Sequence, residues 1–189
     1  MYSIAAPHAK GKSAEDNIFA ANNRAIALAK EIGVENVTNA TVGSILDEDG
    51  SLVVLDVVKQ ELKNLTPPEF CAYAPIKGYD EFLKDCIDQC FGKSRPEGYI
   101  DACATPGGTG VLHHVVHNYS EPGDEVLITD WHWGAYDSLI DDNNRKVRTF
   151  SFLTSDGHFN AASFKENVED ILKKQDNIVI ILNGIANNP

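Results

Sequence analysis

A glycine-rich turn, Thr105-Pro-Gly-Gly-Thr-Gly110, joins a predicted strand at residues 99–104 to a predicted helix at residues 109–119. The first N–H groups of a helix are unpaired and lie at the positive end of its dipole, so this turn predicts an anion site. Gly107 and Gly108 let the backbone approach a phosphate without an intervening Cβ, and the Thr109 hydroxyl adds a donor. A tight strand-to-helix turn without a ligand is the alternative interpretation.

Beyond residue 98, short apolar runs alternate with amphipathic segments, a pattern typical of a largely parallel α/β sheet. The predicted strands are residues 99–104, 125–129, 146–150 and 177–182. The predicted helices between them are residues 109–119, 134–142 and 161–174, the last with Asn160 as its N-cap.

The residues before this sheet have helical rather than alternating periodicity. Helices are predicted from about residue 13 to Gly33, over residues 56–64, and over residues 79–91. A surface turn is predicted at residues 47–50, and Pro67 and Pro68 are expected to break the chain. The apolar stripe of the third helix is expected to face inward through Phe82, Leu83, Cys86, Ile87 and Cys90.

Two further polar and aromatic groups follow predicted strands. Asp130-Trp-His-Trp133 comes directly after residues 125–129, and Asn187-Asn-Pro189 comes after residues 177–182. Ligands of open α/β sheets bind at the carboxyl ends of the strands. The indoles therefore suggest a flat ligand there, whereas the alternative is that Trp131 and Trp133 are core or interface aromatics.

Composition narrows the class of partners. The 28 acidic side chains against 16 basic ones give a formal net charge of −12, which disfavours nucleic acid and anionic membrane surfaces as partners. The first residues contain no apolar run long enough for a signal peptide or membrane span, so a cytoplasmic location is expected. The four cysteines form no Cys-x-x-Cys pair, and we expect reduced, mostly buried thiols.

The histidines do not predict a metal site. His113 and His117 are four residues apart on one predicted helix, which is a spacing that can bind zinc. A third ligand is missing from the motif, and no glutamate follows the first histidine as it does in metalloprotease helices. We predict instead that the imidazoles are hydrogen-bonded within the protein or solvated.

Four motifs, in order, resemble class I aminotransferases with the pyridoxal-phosphate fold of aspartate aminotransferase. Thr41-Val-Gly-Ser44 is similar to the family's opening glycine loop, and Tyr73-Ala-Pro-Ile-Lys-Gly78 to its Tyr-x-Pro-Ile-x-Gly segment. Gly107-Gly-Thr-Gly110 is similar to its phosphate loop, and Asn188-Pro189 to the start of its Asn-Pro-Thr-Gly motif. The resemblance covers essentially the whole chain. It implies the first part of a mainly parallel-sheet large domain, preceded by an N-terminal helical segment.

The resemblance also implies residue roles and partners. Gly107, Gly108 and Thr109 would hold the phosphate of pyridoxal 5'-phosphate, and Trp133 would lie against its ring. Asn188 would donate to the ring hydroxyl oxygen and lie near the substrate carboxylate, with Gly43 and Trp133 also on the substrate side. Tyr73 would reach the phosphate of the partner subunit in a homodimer. The substrates would be an amino acid, of aspartate or aromatic type, and a 2-oxo acid.

The sequence departs from the family pattern in three respects. Gly107 stands where members often have serine, and Trp131 where proline is common. No segment resembles the family's lysine loop, and the aspartate facing the ring nitrogen and the arginine for the substrate carboxylate are absent as well. With the Schiff-base lysine absent, no catalytic residue is assigned within these 189 residues, and the chain alone is expected to be inactive.

The resemblance sets the expected domain organisation. Residues 1–50 would be the N-terminal helix and arm of the small domain, and residues 51–189 the first half of the large domain. The family inserts its later strands between residues 99–104 and 177–182, so in this chain both strands are expected to lack those neighbours. Two rivals remain: a small phosphate- or nucleotide-binding α/β domain without pyridoxal phosphate, and a non-enzymatic chain that pairs with another subunit.

Overall fold

The computed structural model describes Ile4, residues 6–10 and residues 17–184. The chain divides into two compact units, Met1–Ala72 and Tyr73–Pro189. The division predicted between residues 50 and 51 stays a prediction. Among the described helices, none combines the length and apolarity needed to cross a bilayer.

The described part of the first unit consists mainly of helices and turns. Its helices are α1 (Asn17–Ile32), α2 (Asp56–Asn64) and α3 (Pro67–Cys71), with 3-10 turns at Pro7–Ala9 and Val34–Asn36. The N–H of Gly50 donates to the carbonyl oxygen of Asp47 (2.9 Å), which confirms the predicted turn. Leu46 and Leu52 flank this turn in an isolated antiparallel bridge. Neither α2 nor α3 contains a buried residue.

The second unit contains a parallel sheet, as predicted. Its elements are α4 (Asp80–Phe91), a 3-10 turn at Gly92–Ser94, α5 (Gly107–Tyr119), β1 (Glu125–Thr129), α6 (Ala135–Asp142), β2 (Lys146–Phe150), α7 (Ala161–Ile171) and β3 (Val179–Ile181). The strand order is β2-β1-β3, and Val126 lies opposite Val147 on one side and Val179 on the other. The predicted strands at residues 125–129 and 146–150 are confirmed, and β3 is shorter than predicted.

Helices cover both faces of this sheet, because successive apolar side chains of β1 point to opposite faces and both faces must be buried. Val126 and Ile128 pack on one face in a cluster with residues of α5 and α6, such as Val116 and Ile140. Leu127 packs on the other face in a cluster that continues into α7. Burial of one such side chain contributes about 1.5–3 kcal/mol. These layers fix the sheet on which the candidate site lies.

Residues 99–104 do not form the predicted strand. The N–H of Ala104 donates to the carbonyl oxygen of Lys77 (2.7 Å), and no strand pairs with this segment within the described part of the chain. An extended segment becomes a strand only when a neighbour completes its hydrogen bonds. β3 likewise pairs with β1 alone among the described strands.

The predicted chain break at Pro67 and Pro68 is confirmed, since α2 ends at Asn64. The two prolines also open the short helix α3, which the pattern did not predict and where proline is tolerated in the first turn.

The inward stripe predicted for α4 is largely wrong. On α4 only Leu83 of the predicted stripe is buried. Cys86 and Cys90 line an open groove beside residues 99–102. All four cysteines are free and exposed, so the predicted burial of the thiols is not found.

A buried arginine anchors the far end of α5. Arg145 follows α6 and is 8% exposed. Its Nε donates to the hydroxyl of Ser120 (3.0 Å), and its guanidinium also donates to the carbonyl oxygens of His117, Ser120 and Asn143. The last carbonyl groups of a helix lack partners within the helix, and a cation there also complements the dipole. Arg145 therefore fixes the helix whose other end carries the glycine-rich turn.

Candidate functional site

The glycine-rich turn begins α5 in a closed local conformation. The N–H of Gly107 donates to the carbonyl oxygen of Thr105 (2.7 Å), and the Thr105 hydroxyl donates to the carbonyl oxygen of Gly107 (2.9 Å). Gly107 has φ of +66°, in the left-handed region that favours glycine. This conformation explains why glycine rather than serine occupies the position.

The glycines of the turn have two different spatial roles. A Cβ built on Gly107 or Gly108 meets no atom within 4 Å, so the space beside the first turn of α5 is open. A Cβ built on Gly110 lies 2.7 Å from Cδ of Pro106, so Gly110 is required by packing. The N–H groups of Gly108 and Thr109 are in the first turn, where a helix supplies no acceptors. The open space and these donors fit a phosphate group.

The turn after β1 is built from side-chain to backbone hydrogen bonds. Asp130 Oδ1 accepts from the N–H groups of Trp131 (3.0 Å) and Phe152 (2.9 Å), which ties the ends of β1 and β2 together. The Thr129 hydroxyl donates to the carbonyl oxygen of Trp131. Sequence reasoning did not assign Asp130, although an aspartate just after a strand is a known turn signal.

Trp133 and Trp131 differ in environment. Trp133 is half-buried, packs against the cluster formed by β1, α5 and α6, and makes an edge-to-face contact with Tyr136 (centroids 5.7 Å apart, planes at 84°). Trp131 is 57% exposed. Only Trp133 therefore has its orientation set by the core that also holds α5.

The structure brings the glycine-rich turn and Trp133 to the same end of the sheet. The side chain of Asn177, just before β3, donates to the carbonyl oxygen of Tyr119 at the end of α5 (3.3 Å). The carboxyl end of α5 thus lies beside the amino ends of the strands. Because α5 packs along the sheet, its amino end with Gly107 lies toward the carboxyl ends, where Trp133 follows β1.

The segment around Tyr73 is tied to the chain that leads into the glycine-rich turn. Lys77 Nζ lies 2.7 Å from Asp101 Oδ1. This hydrogen bond raises the pKa of Lys77 and lowers the pKa of Asp101. Gly78 has φ of +108°, and a Cβ there would lie 2.9 Å from Cβ of Ala104. The Tyr73 side chain itself is fully exposed.

Two other predicted site residues, Gly43 and Asn188, lie outside the described part of the second unit. Gly43 lies in the first unit, exposed, in a tight turn in which the N–H of Ser44 donates to the carbonyl oxygen of Val42 (2.7 Å). Asn188 lies outside the described residues. Their predicted roles stay predictions.

The histidines of α5 are exposed, with the rings of His113 and His117 stacked at a centroid distance of 5.9 Å. Asn143 Nδ2 donates to the carbonyl oxygen of Leu139 (2.8 Å) and lies 3.1 Å from His113 Nδ1. His113 Nδ1 therefore accepts a hydrogen bond from the amide. Within residues 17–184 and the short stretch before them, no group of three or more potential ligand side chains could hold a metal ion.

The family is decided by a match over most of the chain. The sequence model described as "Aminotransferase class I and II" matches residues 35–189. The chain belongs to the class I and II aminotransferase family. The mixed α/β fold, with helices before a parallel sheet, is the N-terminal portion of the aminotransferase fold.

Individual aminotransferases resemble the chain to different degrees. A mitochondrial aspartate aminotransferase from Dictyostelium discoideum is 26% identical over 94% of this chain and 42% of its own length. The crystal structure of an aminotransferase from Anaerococcus prevotii DSM 20548 is 34% identical, with a TM-score of 0.94 over 100% of this chain and 46% of that chain.

A third aminotransferase supports the fold alone. The aromatic amino acid aminotransferase from Psychrobacter sp. B6, cocrystallised with aspartic acid, is 22% identical with a TM-score of 0.75, over 95% of this chain and 45% of that one. The chain thus spans less than half the length of each of these relatives.

Proposed function

We propose that this chain supplies the first part of the cofactor domain of a pyridoxal-phosphate-dependent aminotransferase. The observation that carries the proposal is the open glycine-rich turn of α5 at the sheet end that also carries Trp133. The reaction would transfer an amino group between an amino acid and a 2-oxo acid. Bound pyridoxal phosphate would supply the electron sink for this reaction.

The proposed role of Gly108 and Thr109 is to bind the phosphate. Their N–H groups lie at the positive end of α5, and the space a Cβ at Gly108 would occupy is open. The Thr109 hydroxyl is exposed beside them and supplies one more donor. Gly107 offers the phosphate no hydroxyl where a serine would, and its N–H already donates to the carbonyl oxygen of Thr105. The phosphate would thus be bound mainly by main-chain donors.

The proposed role of Trp133 is to orient the cofactor ring. Its half-buried position and its contact with Tyr136 support a fixed indole plane. An aromatic contact with a ring contributes about 0.5–1.5 kcal/mol beyond burial. A fixed ring holds the breaking bond of the substrate in one orientation. Asn188 and Gly43 are proposed to complete the ring and substrate contacts.

The proposed role of Tyr73 is to cross a homodimer interface to the partner's cofactor phosphate. Its fully exposed side chain on a segment tied by Lys77 to Asp101 supports this role, because the side chain is presented outward from an anchored backbone. In the homodimer each site would then need both subunits.

For the substrate, we propose only a chemical class. Aspartate and aromatic amino acids are the proposed substrate types, and the relatives are named for aspartate or aromatic amino acids. The cytoplasmic location stays a prediction, since the Dictyostelium relative is mitochondrial by name and a yeast structure of the same fold is cytoplasmic. The 189 residues alone are proposed not to turn over, because no segment resembles the family's lysine loop.

The test is cofactor binding by the intact protein that carries this chain, after its mass has been compared with 20.7 kDa. Pyridoxal phosphate should change its near-ultraviolet and visible absorbance, and Gly108→Val should weaken this binding because its methyl groups fill the open space. The unfolding midpoint without cofactor should be little changed, which is the control for misfolding. Unchanged cofactor affinity in Gly108→Val overturns the phosphate assignment. Nucleotide binding in place of pyridoxal phosphate supports the small-domain rival.

A further inference from the structure

His132 lies between the two tryptophans, and both of its ring nitrogens are engaged. Nδ1 lies 2.9 Å from the carbonyl oxygen of Thr129 in β1, and Nε2 lies 3.2 Å from Oδ1 of Asp137 in α6. The His132 side chain is 15% exposed. The imidazole therefore bridges the end of a strand and the first turn of the following helix.

The two partners of His132 are both acceptors. A backbone carbonyl oxygen and a carboxylate can only accept, so each of these hydrogen bonds requires a proton on the facing ring nitrogen. A neutral imidazole donates through one nitrogen only. An uncharged amide side chain such as glutamine carries its donors on one nitrogen, so it cannot reach both acceptors as the two opposed ring nitrogens do.

The ring of His132 also begins a row of three aromatic side chains. It is stacked on Tyr136 with centroids 6.3 Å apart and planes at 11°. Tyr136 is 8% exposed and makes the edge-to-face contact with Trp133. A change in the position of His132 would therefore be transmitted through the buried phenol ring to the indole.

We infer that His132 is a positioning residue that holds Trp133 in the orientation needed to bind the ring of an aromatic phosphate cofactor. By joining Thr129 to Asp137 it closes the turn after β1, and through Tyr136 it limits the rotation of Trp133. The inference rests on the proposed function, since Trp133 is the proposed ring contact. It assigns to His132 a role in ring binding and none in phosphate binding.

The test separates ring binding from phosphate binding in the intact protein. His132→Gln should lower the affinity for pyridoxal phosphate about two- to tenfold, the range of a lost aromatic contact. The affinity for inorganic phosphate, which needs only Gly108 and Thr109, should not change. His158→Gln is the matched control, because His158 also pairs with an aspartate, Asp156 (3.3 Å), and its side chain is 81% exposed.

A double-mutant cycle shows whether His132 acts through Trp133. In a Trp133→Ala background, His132→Gln should have no further effect on pyridoxal phosphate affinity, because the ring contact is already lost. An equal loss in that background, an unchanged affinity in the single variant, or a parallel loss of phosphate affinity overturns the inference. If the unsubstituted protein binds no pyridoxal phosphate, the proposed function fails, and this inference fails with it.

Discussion

The two units of the chain bury their apolar residues to very different extents. Leu127 and Ile128 in the central strand are fully buried, and all the buried apolar side chains found among the described residues lie in the second unit. In the first unit, Val57 and Leu62 of α2 are 60% and 64% exposed. Both units have regular elements, but among the described residues only those of the second unit form a hydrophobic core.

This difference teaches that an amphipathic pattern predicts a helix without predicting what covers its apolar face. Helix α2 has its apolar residues on one side, and α5 has the same kind of pattern. The face of α5 packs on a sheet, whereas the first unit contains side-chain hydrogen bonds such as that from Asn39 to Asn22 (2.8 Å), residues 17 positions apart in the sequence. Burial should therefore contribute more to the stability of the second unit than to that of the first.

The largest expected effect is a test of burial in the two units with the same substitution. Leu127→Ala should lower the free energy of unfolding of the second unit by about 2–5 kcal/mol, because it leaves a cavity in the central strand. Leu62→Ala on the exposed face of α2 should change the free energy of unfolding of the first unit by about 0.5 kcal/mol or less. Denaturant unfolding followed by hydrogen exchange of each unit measures both. Equal losses would contradict the comparison.

A smaller effect is expected where a single Cβ is added. Glycine to alanine in a helix ordinarily gains about 0.5–1 kcal/mol, and overpacking costs about 1–3 kcal/mol. In Gly110→Ala the new Cβ meets a proline ring carbon at 2.7 Å, so we expect net destabilisation of the second unit.

The control for Gly110→Ala is Gly43→Ala in the first unit, where a built Cβ meets no atom within 4 Å. Its thermal midpoint should remain close to that of the unsubstituted chain. A gain of stability in Gly110→Ala would contradict this expectation, because it would show that the Pro106 ring can move aside at little cost in energy.

The smallest expected effect is a pH dependence of α3 in the first unit. The Glu69 carboxylate accepts from the hydroxyl (2.6 Å) and the N–H (2.7 Å) of Thr66, which lowers the pKa of Glu69 below its ordinary 4.5. A lowered pKa in the folded state contributes stability that is present above the ordinary value and is lost as the pH falls through the lowered one.

The protection factors of the α3 amides, which correct for the slower intrinsic exchange in acid, should therefore fall below about pH 4, where carboxylates of the unfolded chain take up protons. Glu69→Gln should abolish this dependence. The same substitution at Glu61, an exposed residue of α2, should leave it in place. A pH dependence that survives Glu69→Gln would assign it to another group.

The sequence predicted those parts of the fold that depend on local pattern and on neighbours present in the chain. The bounds of β1 and β2 are predicted correctly, because each is a short segment with β-branched or aromatic residues and has a partner strand beside it. The Asn160 cap was also predicted correctly, and its side chain accepts from the N–H of Ser163 (3.1 Å). Residues 99–104 have strand-like composition but no partner strand in the described part of the chain, and composition alone carries no information about a neighbouring strand.

The candidate site was predicted in its residue types but not in its supporting contacts. The glycine-rich turn and Trp133 stand out in the sequence because glycine and tryptophan are informative residues. The partner of His132 in β1 is a backbone carbonyl oxygen, which every residue possesses, so no sequence signal marks it. Tyr136 and Arg145 were missed for a related reason, since their roles follow from packing and from helix ends.

The contacts of Arg145 with the end of α5 affect the entropy cost of binding a ligand at the start of that helix. The guanidinium holds the carbonyl oxygens at the carboxyl end of this helix before any anion reaches its amino end. A helix that is already formed and anchored loses little conformational freedom when a ligand binds. More of the attraction between an anion and the Gly108 and Thr109 amides is then available as affinity, so a residue at the far end of the helix preorganises the turn at its start.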